Sequence, residues 1–227
     1  MNHHRLLIIG TGSIGERHAR CLLATGRATL GICEPNASLR RRVAERYGID
    51  AAHGALDEAL NASSWDAAVV ATPAPRHVEI AHRLVEAGIA PLIEKPLAVD
   101  ETGVDALREA ASQRGVPVGV AYVYRAHPAL GAMHAAIGEQ RFGRPVQLVA
   151  TCGQSFPTYR PAYRETYYAH HATGGGAIQD ALTHVINAGE WLVGPIQRLC
   201  ADAAHQLVPG VEVEDTVHVL ARQGPGA

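Results

Sequence analysis

Cysteine is scarce in this chain: only Cys21, Cys33, Cys152 and Cys200 occur, far apart, and no Cys-x-x-Cys pair is formed. That spacing reads as reduced thiols in a cytoplasmic protein rather than as a disulfide framework. An excess of either charge is missing too. Lys and Arg number 20 against 22 Asp and Glu, a net −2, so no overall basic field favours nucleic acid or an anionic membrane. The local run Arg40-Arg41-Arg42 reads as the solvated face of a helix. No apolar stretch approaches the ~18–20 residues needed to cross a bilayer. Met1-Asn2-His3-His4-Arg5 leads straight into a strand, without the apolar segment and cleavage site of a signal peptide. Thirteen histidines are present, yet none shows the spacing of a zinc motif. His170 and His171 are adjacent and would point to different sides of a helix or strand. There is no internal repeat or low-complexity tract.

The 227 residues exceed the usual ~100–200 of one domain and fall short of two full ones. Short apolar runs alternate with amphipathic stretches up to about residue 121. Strands are expected at 6–9, 28–33, 67–71, 91–94 and 116–122, and helices at 14–25, 38–47, 76–87 and 103–113. Such alternation implies βαβ units, a parallel sheet and, with right-handed crossovers, a doubly wound Rossmann arrangement. The pattern changes after Tyr124. A helix is expected at 127–138 and a β-rich run at 145–152. Residues 153–173 are polar, aromatic and irregular; a helix follows at 178–193, then β-like runs at 199–205 and 216–221. The expected division is a dinucleotide-binding domain at 1–121 and an incomplete α+β domain at 122–227, with a mostly antiparallel sheet. The tail at 223–227 reads as an end in mid-architecture, because so few strands make a thin core.

Lys95 stands where a buried strand gives out, in Glu94-Lys95-Pro96. Pro96 cannot donate to a ladder, so the strand stops and the ammonium sits at the carboxyl edge of the sheet, where open α/β folds hold ligands. A lysine at a strand end is also what a merely solvated terminus looks like. A second signal stands at the start of the chain. Gly10-Thr11-Gly12-Ser13-Ile14-Gly15 follows the first strand and opens the first helix. Gly10 permits the turn, Gly12 the approach of a pyrophosphate, and Gly15 close helix–strand packing. The phosphates would lie on the N–H groups at the helix start. Glu34, about twenty residues on at the end of the second strand, can accept both ribose hydroxyls and would repel a 2′-phosphate. NAD is therefore expected over NADP. The plainer alternative makes Glu34 a helix cap or a solvated charge.

The third signal is Gly174-Gly175-Gly176 followed by Asp180 and His184. Four apart on a helix, these two side chains share a face. Asn187 and Trp191 continue that stripe, with Ile178, Leu182, Val185 and Leu192 opposite. The blander reading makes Asp180 a charge favoured by the helix dipole and His184 a half-buried histidine.

Taken in order, Gly10–Gly15, Ala71-Thr72-Pro73 with His77, Glu94-Lys95-Pro96, Tyr124-Arg125 with Pro128, and Gly174–Gly176 with Asp180 and His184 resemble the glucose–fructose oxidoreductase / inositol dehydrogenase / rhizopine-catabolism (Gfo/Idh/MocA) family. The resemblance covers nearly the whole chain. It implies a Rossmann domain followed by an α/β domain that forms oligomer contacts, and oxidation or reduction of a hydroxyl carbon of a sugar, inositol or polyol with NAD(P). It also implies Lys95, Asp180 and His184 as catalytic residues, with Thr72, Pro73, His77 and Glu94 lining the cofactor. Members usually continue well beyond the point where this sequence stops.

In that chemistry a base must take the hydroxyl proton, and a neutral imidazole is suited to it near neutrality. His184 is the expected acid/base. Lys95 would stabilise the developing charge on oxygen, and Asp180 would orient His184 or hold a substrate hydroxyl. Arg125 is expected in the substrate site, and Tyr163, Arg164, Tyr167 and Tyr168 to line a polyol pocket, unless they form an ordinary tyrosine-rich surface loop. A homo-oligomer through the second domain is expected. The competing readings are a non-catalytic NAD-binding sensor or relic, and an NAD-dependent glycosidase built on the same site.

Overall fold

The computed structural model describes residues 3–224. The first two residues and 225–227, which the sequence reading touched at both ends of the chain, lie outside the described residues. The chain divides into two compact units, 1–121 and 122–227.

The first unit holds a six-stranded sheet in the order β3-β2-β1-β4-β5-β6, parallel throughout. Its strands are β1 (His4–Ile9), β2 (Ala28–Cys33), β3 (Ala51–His53), β4 (Ala67–Val70), β5 (Ala90–Ile93) and β6 (Gly119–Val120). The helices are α1 (Ser13–Ala24), α2 (Ala37–Tyr47), α3 (Leu56–Ala62), α4 (His77–Glu86) and α5 (Val104–Arg114). Successive β1 side chains point to opposite faces, and each face has its own core. Leu7 and Ile9 pack with Trp65, Leu84, Ile93 and Leu107; Ile8 packs with Ala19, Ile32, Val43 and Val69. Helices on both faces explain why the strands read as nearly continuous apolar runs. Trp65 sets one constraint from within this core: a Cβ on Gly31 would collide with its ring. The strand order reverses between β1 and β4, which opens a crevice at their carboxyl ends.

The sequence reading misses β3 and α3. The strand is three residues long at the sheet edge, pairs among the described residues with β2 alone and is built mainly from alanine, a residue depleted in strands. The last strand, expected over 116–122, contracts to Gly119–Val120.

In the second unit a 3₁₀ turn (Val123–Ala126) leads to α6 (Pro128–Gly138). A single turn, α7 (Phe156–Tyr159), and three 3₁₀ turns between Tyr163 and Thr173 follow. A π-turn (Ile178–Leu182) then runs into α8 (Thr183–Val193). β7 (Ile196–Ala204) and β8 (Thr216–Gln223) pair antiparallel. The core of this unit is small: Phe156, Tyr163, Tyr168 and Ala169 against Val208, Val211 and Val213, with Phe156 stacked on Tyr168 at 3.9 Å.

Three expectations are corrected here. The run at 145–152 forms no strand; most of it is exposed and it has no ladder partner among the described residues, and β-propensity without a partner strand makes no sheet. The helix expected over 178–193 begins as a π-turn. Its apolar stripe lies only partly where periodicity puts it: Leu192 is buried and Leu182 and Val185 are half-buried, but Ile178 is exposed, and Ala188 and Gly189 are buried as well. Among the described residues no helix is long and apolar enough to cross a membrane, and all four cysteines are free.

Candidate active site

The fingerprint loop shows three glycines used in three ways. Gly10 has φ +85°, and a Cβ there would lie 2.6 Å from the Ala71 carbonyl oxygen. A Cβ on Gly15 would overlap the Gly10 carbonyl. At Gly12 nothing lies within 4 Å of the Cβ position. Gly12 opens α1 without a side-chain cap, so the first-turn N–H groups, those of Ser13 and Ile14 among them, have no intrahelical partner. Open space in front of unsatisfied donors fits a pyrophosphate.

Glu34 ends β2 and is buried. Its Oε2 accepts the Thr11 N–H at 2.9 Å and the Thr11 hydroxyl at 3.3 Å, and its Oε1 accepts the Asn36 N–H at 3.0 Å. It therefore holds the fingerprint loop and the β2 exit together, and the carboxylate has about one lone-pair site left for a further donor. Capping of α2 falls to Asn36, whose Oδ1 accepts the N–H groups of Ser38 and Leu39. Arg40 gives Nη1 to the Glu34 carbonyl at 2.6 Å, while Arg41 and Arg42 are exposed. Burial and the Glu34 charge push the neighbouring Cys33 thiol up to about 11, which makes it an inert core group.

On the other side of the crevice, Thr72 Oγ is buried with no hydrogen-bond partner among the described residues. Pro73 opens the 3₁₀ turn that feeds α4. His77, 1% exposed, places its two ring nitrogens 2.9 Å from the Pro96 carbonyl oxygen and 2.8 Å from that of Thr72. It therefore ties two loops instead of presenting an edge to a ligand. Glu94 lies 2.6 Å from His18 Nε2 and accepts the Lys95 N–H at 3.2 Å. The sequence reading missed His18, since nothing local marks a partner 76 positions away.

In the second unit Asp180 accepts the Tyr167 hydroxyl at 2.6 Å. His184 lies among tyrosines, edge-on to Tyr122 at 6.0 Å and tilted against Tyr124 at 5.5 Å. The Tyr122 hydroxyl is 3.1 Å from that of Thr183. Arg125 donates to Asn187 Oδ1 at 2.8 Å and lies over Trp191, so the stripe running on from His184 is packed by the Tyr122–Arg125 turn. π-turns often mark functional sites in helices, and this one carries Asp180.

The triple glycine has a built partner in Glu214. Its carboxylate meets His171 Nε2 at 2.5 Å and accepts the Ile178 N–H at 2.8 Å, and a Cβ on Gly176 would collide with it. Tyr163 and Arg164 fall elsewhere than expected. Tyr163 is 2% exposed in the core with its hydroxyl on the Pro209 carbonyl, and Arg164 bonds the same carbonyl. Burial, helped by the charges of Asp180, Glu214 and Asp215, pushes the Tyr168 hydroxyl up to about 12; it too is a core residue. Among the described residues no group of His, Cys, Asp and Glu is arranged to hold a metal.

Comparison with known proteins bears on the two units as domains. Residues 4–122 match the model of an oxidoreductase family with an NAD-binding Rossmann fold, and residues 131–227 match the GFO/IDH/MocA C-terminal domain. The chain is 28% identical over 219 residues to myo-inositol dehydrogenase Hyg17 of Streptomyces leeuwenhoekii, covering 95% of this chain and 65% of that protein. It superposes on levoglucosan dehydrogenase in complex with NADH and levoglucosan with a TM-score of 0.88 and 25% identity, covering 98% of this chain and 64% of that one. For the WlbA dehydrogenase of Bordetella pertussis, in complex with NADH and UDP-GlcNAcA, the TM-score is 0.82 and the identity 27%, over 100% of this chain and 69% of that one. The chain spans 57% to 65% of the length of the first relatives it matches. With one family model matching more than half of the chain and its companion domain following in order, this chain belongs to the GFO/IDH/MocA oxidoreductase family.

Proposed function

We propose that this chain supports hydride transfer between NAD and a hydroxyl carbon of a sugar, inositol or related polyol. The observation that carries the reading is the crevice edge of the first unit. Gly12 leaves open space before the α1 donors, Thr72 Oγ is buried without a partner among the described residues, and the Glu94-Lys95-Pro96 strand end is joined to Thr72 through His77. When bound, NAD⁺ supplies the hydride acceptor.

The remaining chemistry falls to side chains of the chain. His184 takes the proton of the reacting hydroxyl on an imidazole nitrogen and returns it in the reductive direction. Lys95 stabilises the charge that develops on the reacting oxygen. Asp180, fixed by the Tyr167 hydroxyl, orients His184 or holds a neighbouring hydroxyl of the polyol, and Arg125 contributes to the substrate side. Glu34 accepts the ribose hydroxyls and repels a 2′-phosphate, which favours NAD over NADP. Gly10, Gly12, Ser13, Ile14, Gly15, Thr72, Pro73 and Glu94 form the remainder of the cofactor cradle.

The polyol class is supported by relatives that act on myo-inositol and levoglucosan. A cytoplasmic setting is supported by the free cysteines. The second unit is proposed to self-associate. Its β7–β8 pair is exposed along most of its length, with Leu199 and Leu220 outward, and a two-stranded ribbon is marginal without a covering surface.

Spectrophotometry with NAD⁺ and a panel of inositols, sugars and sugar nucleotides tests the reading. Net NADH formation that Lys95→Met lowers roughly 10²-fold or more is expected. Tight NAD binding without turnover would establish the sensor reading instead, and sugar release without net NADH the glycosidase.

A further inference from the structure

Lys95 stands just beyond a strand end. β5 stops at Ile93, the Glu94 N–H still reaches the Val70 carbonyl at 2.9 Å, and Pro96 has no N–H to give. Two histidines that the proposed chemistry does not use hold the tripeptide as well.

His18, on α1, places Nε2 2.6 Å from Glu94 Oε1, and the two side chains are only 23% and 11% exposed. The other oxygen of that carboxylate accepts the Lys95 N–H. Burial pushes the Glu94 carboxyl up, but the His18 bond and charge, with those of Lys95, outweigh it and hold the group below its ordinary range. The bridging species is therefore the carboxylate. His77, at the first position of α4, lies between the carbonyl oxygens of Thr72 and Pro96. A carbonyl oxygen only accepts, so the ring nitrogen that carries the hydrogen donates to the carbonyl it faces. Through this ring the loop after β4 is fastened to the residue that follows Lys95.

We propose that His18 and His77 are positioning residues for Lys95, gripping Glu94-Lys95-Pro96 from its two ends and so setting where the ammonium stands. The inference rests on the role proposed above for Lys95. Misplacing a reacting group by about 1 Å costs on the order of 10²-fold in rate, and a short loop fastened at both ends leaves little room for such a shift. A purely structural pair would contribute stability and leave the turnover of each folded molecule unchanged.

The test uses the full chain with His18→Ala, His18→Gln and His77→Phe. Isothermal titration with NAD⁺ counts the folded, cofactor-competent sites, and turnover is expressed per such site. His18→Ala and His77→Phe are expected to bind NAD within a few-fold and to lose roughly 10- to 10²-fold in kcat, with KM for the polyol little changed. His18→Gln keeps an N–H donor towards Glu94 and recovers most of the loss. One readout needs neither cofactor nor substrate: hydrogen exchange at Glu94, Lys95 and Leu97 should quicken in His77→Phe and in His18→Ala but not in His18→Gln. Unchanged kcat per site in both truncations would overturn the proposal. If wild type turns over no polyol, the reading of Lys95 fails, while the exchange pattern still decides whether the clamp exists.

Discussion

The fingerprint glycines differ in what surrounds them, and that difference predicts opposite outcomes for one substitution. At Gly15 an added methyl overlaps the Gly10 carbonyl, and backbone cannot rotate aside as a side chain can. Helix α1 must then lift from β1, an overpacking that costs about 1–3 kcal/mol and sometimes more. At about 2–4 °C per kcal/mol for a chain of this size, Gly15→Ala should melt about 2–12 °C below wild type. At Gly12 the Cβ position is empty to 4 Å and φ is −59°. Alanine there gains about 0.4–1 kcal/mol from a stiffer unfolded chain and loses a similar amount as a poor N-cap, so Tm should stay within about 2 °C. Its methyl would stand where the pyrophosphate is proposed to approach, and NAD affinity should fall at least tenfold, about 1.4 kcal/mol. Differential scanning fluorimetry and isothermal titration on the two variants measure both quantities. Wild-type NAD affinity in a well-folded Gly12→Ala would remove the phosphates from this loop. A Gly12→Ala that melts as early as Gly15→Ala would show that the space is not free.

Lys95→Met is expected to bind NAD within a few-fold and to lose roughly 10²-fold or more in turnover, the scale of one oxyanion-type donor; steady-state kinetics beside titration decide it. Glu34→Ala should weaken NAD more than NADP, and it should also lower stability, because the buried Thr11 N–H loses its acceptor; a wild type that already prefers NADP tenfold would refute the assignment. Asp215 gives a pH dependence of known sign. Burial raises its carboxyl, but the N–H groups of Val208, Leu207 and Gln206 with the Thr216 hydroxyl bring it down from 3.8 to about 2. Its contribution to stability is therefore complete above the ordinary value and lost as pH falls from 3.8 towards 2. Urea midpoints between pH 2 and 5 should show part of the wild-type acid loss missing in Asp215→Asn, and parallel profiles would refute this.

Sequence alone determined the first unit and the identity of its landmarks. Alternating apolar runs and amphipathic stretches state a parallel sheet covered on both faces, because each strand must be buried twice. The glycine spacing, Glu34 and Glu94-Lys95-Pro96 are local patterns whose chemistry is complete within a few residues. Where pairing or packing comes from a distance, the sequence was silent or misleading. β3 exists only because β2 offers it a ladder, and 145–152 is no strand because nothing among the described residues does. Tyr163 and Arg164 read as pocket residues by composition, yet the Pro209 carbonyl draws both into the support of the core. The groups that hold the chemistry in place were equally hidden. His18 is joined to Glu94, His77 to Pro96, and Glu214 to Ile178 across gaps in sequence that no periodicity spans. Local patterns name the reacting groups because intrinsic chemistry belongs to a residue, whereas position belongs to contacts that only the folded chain brings together.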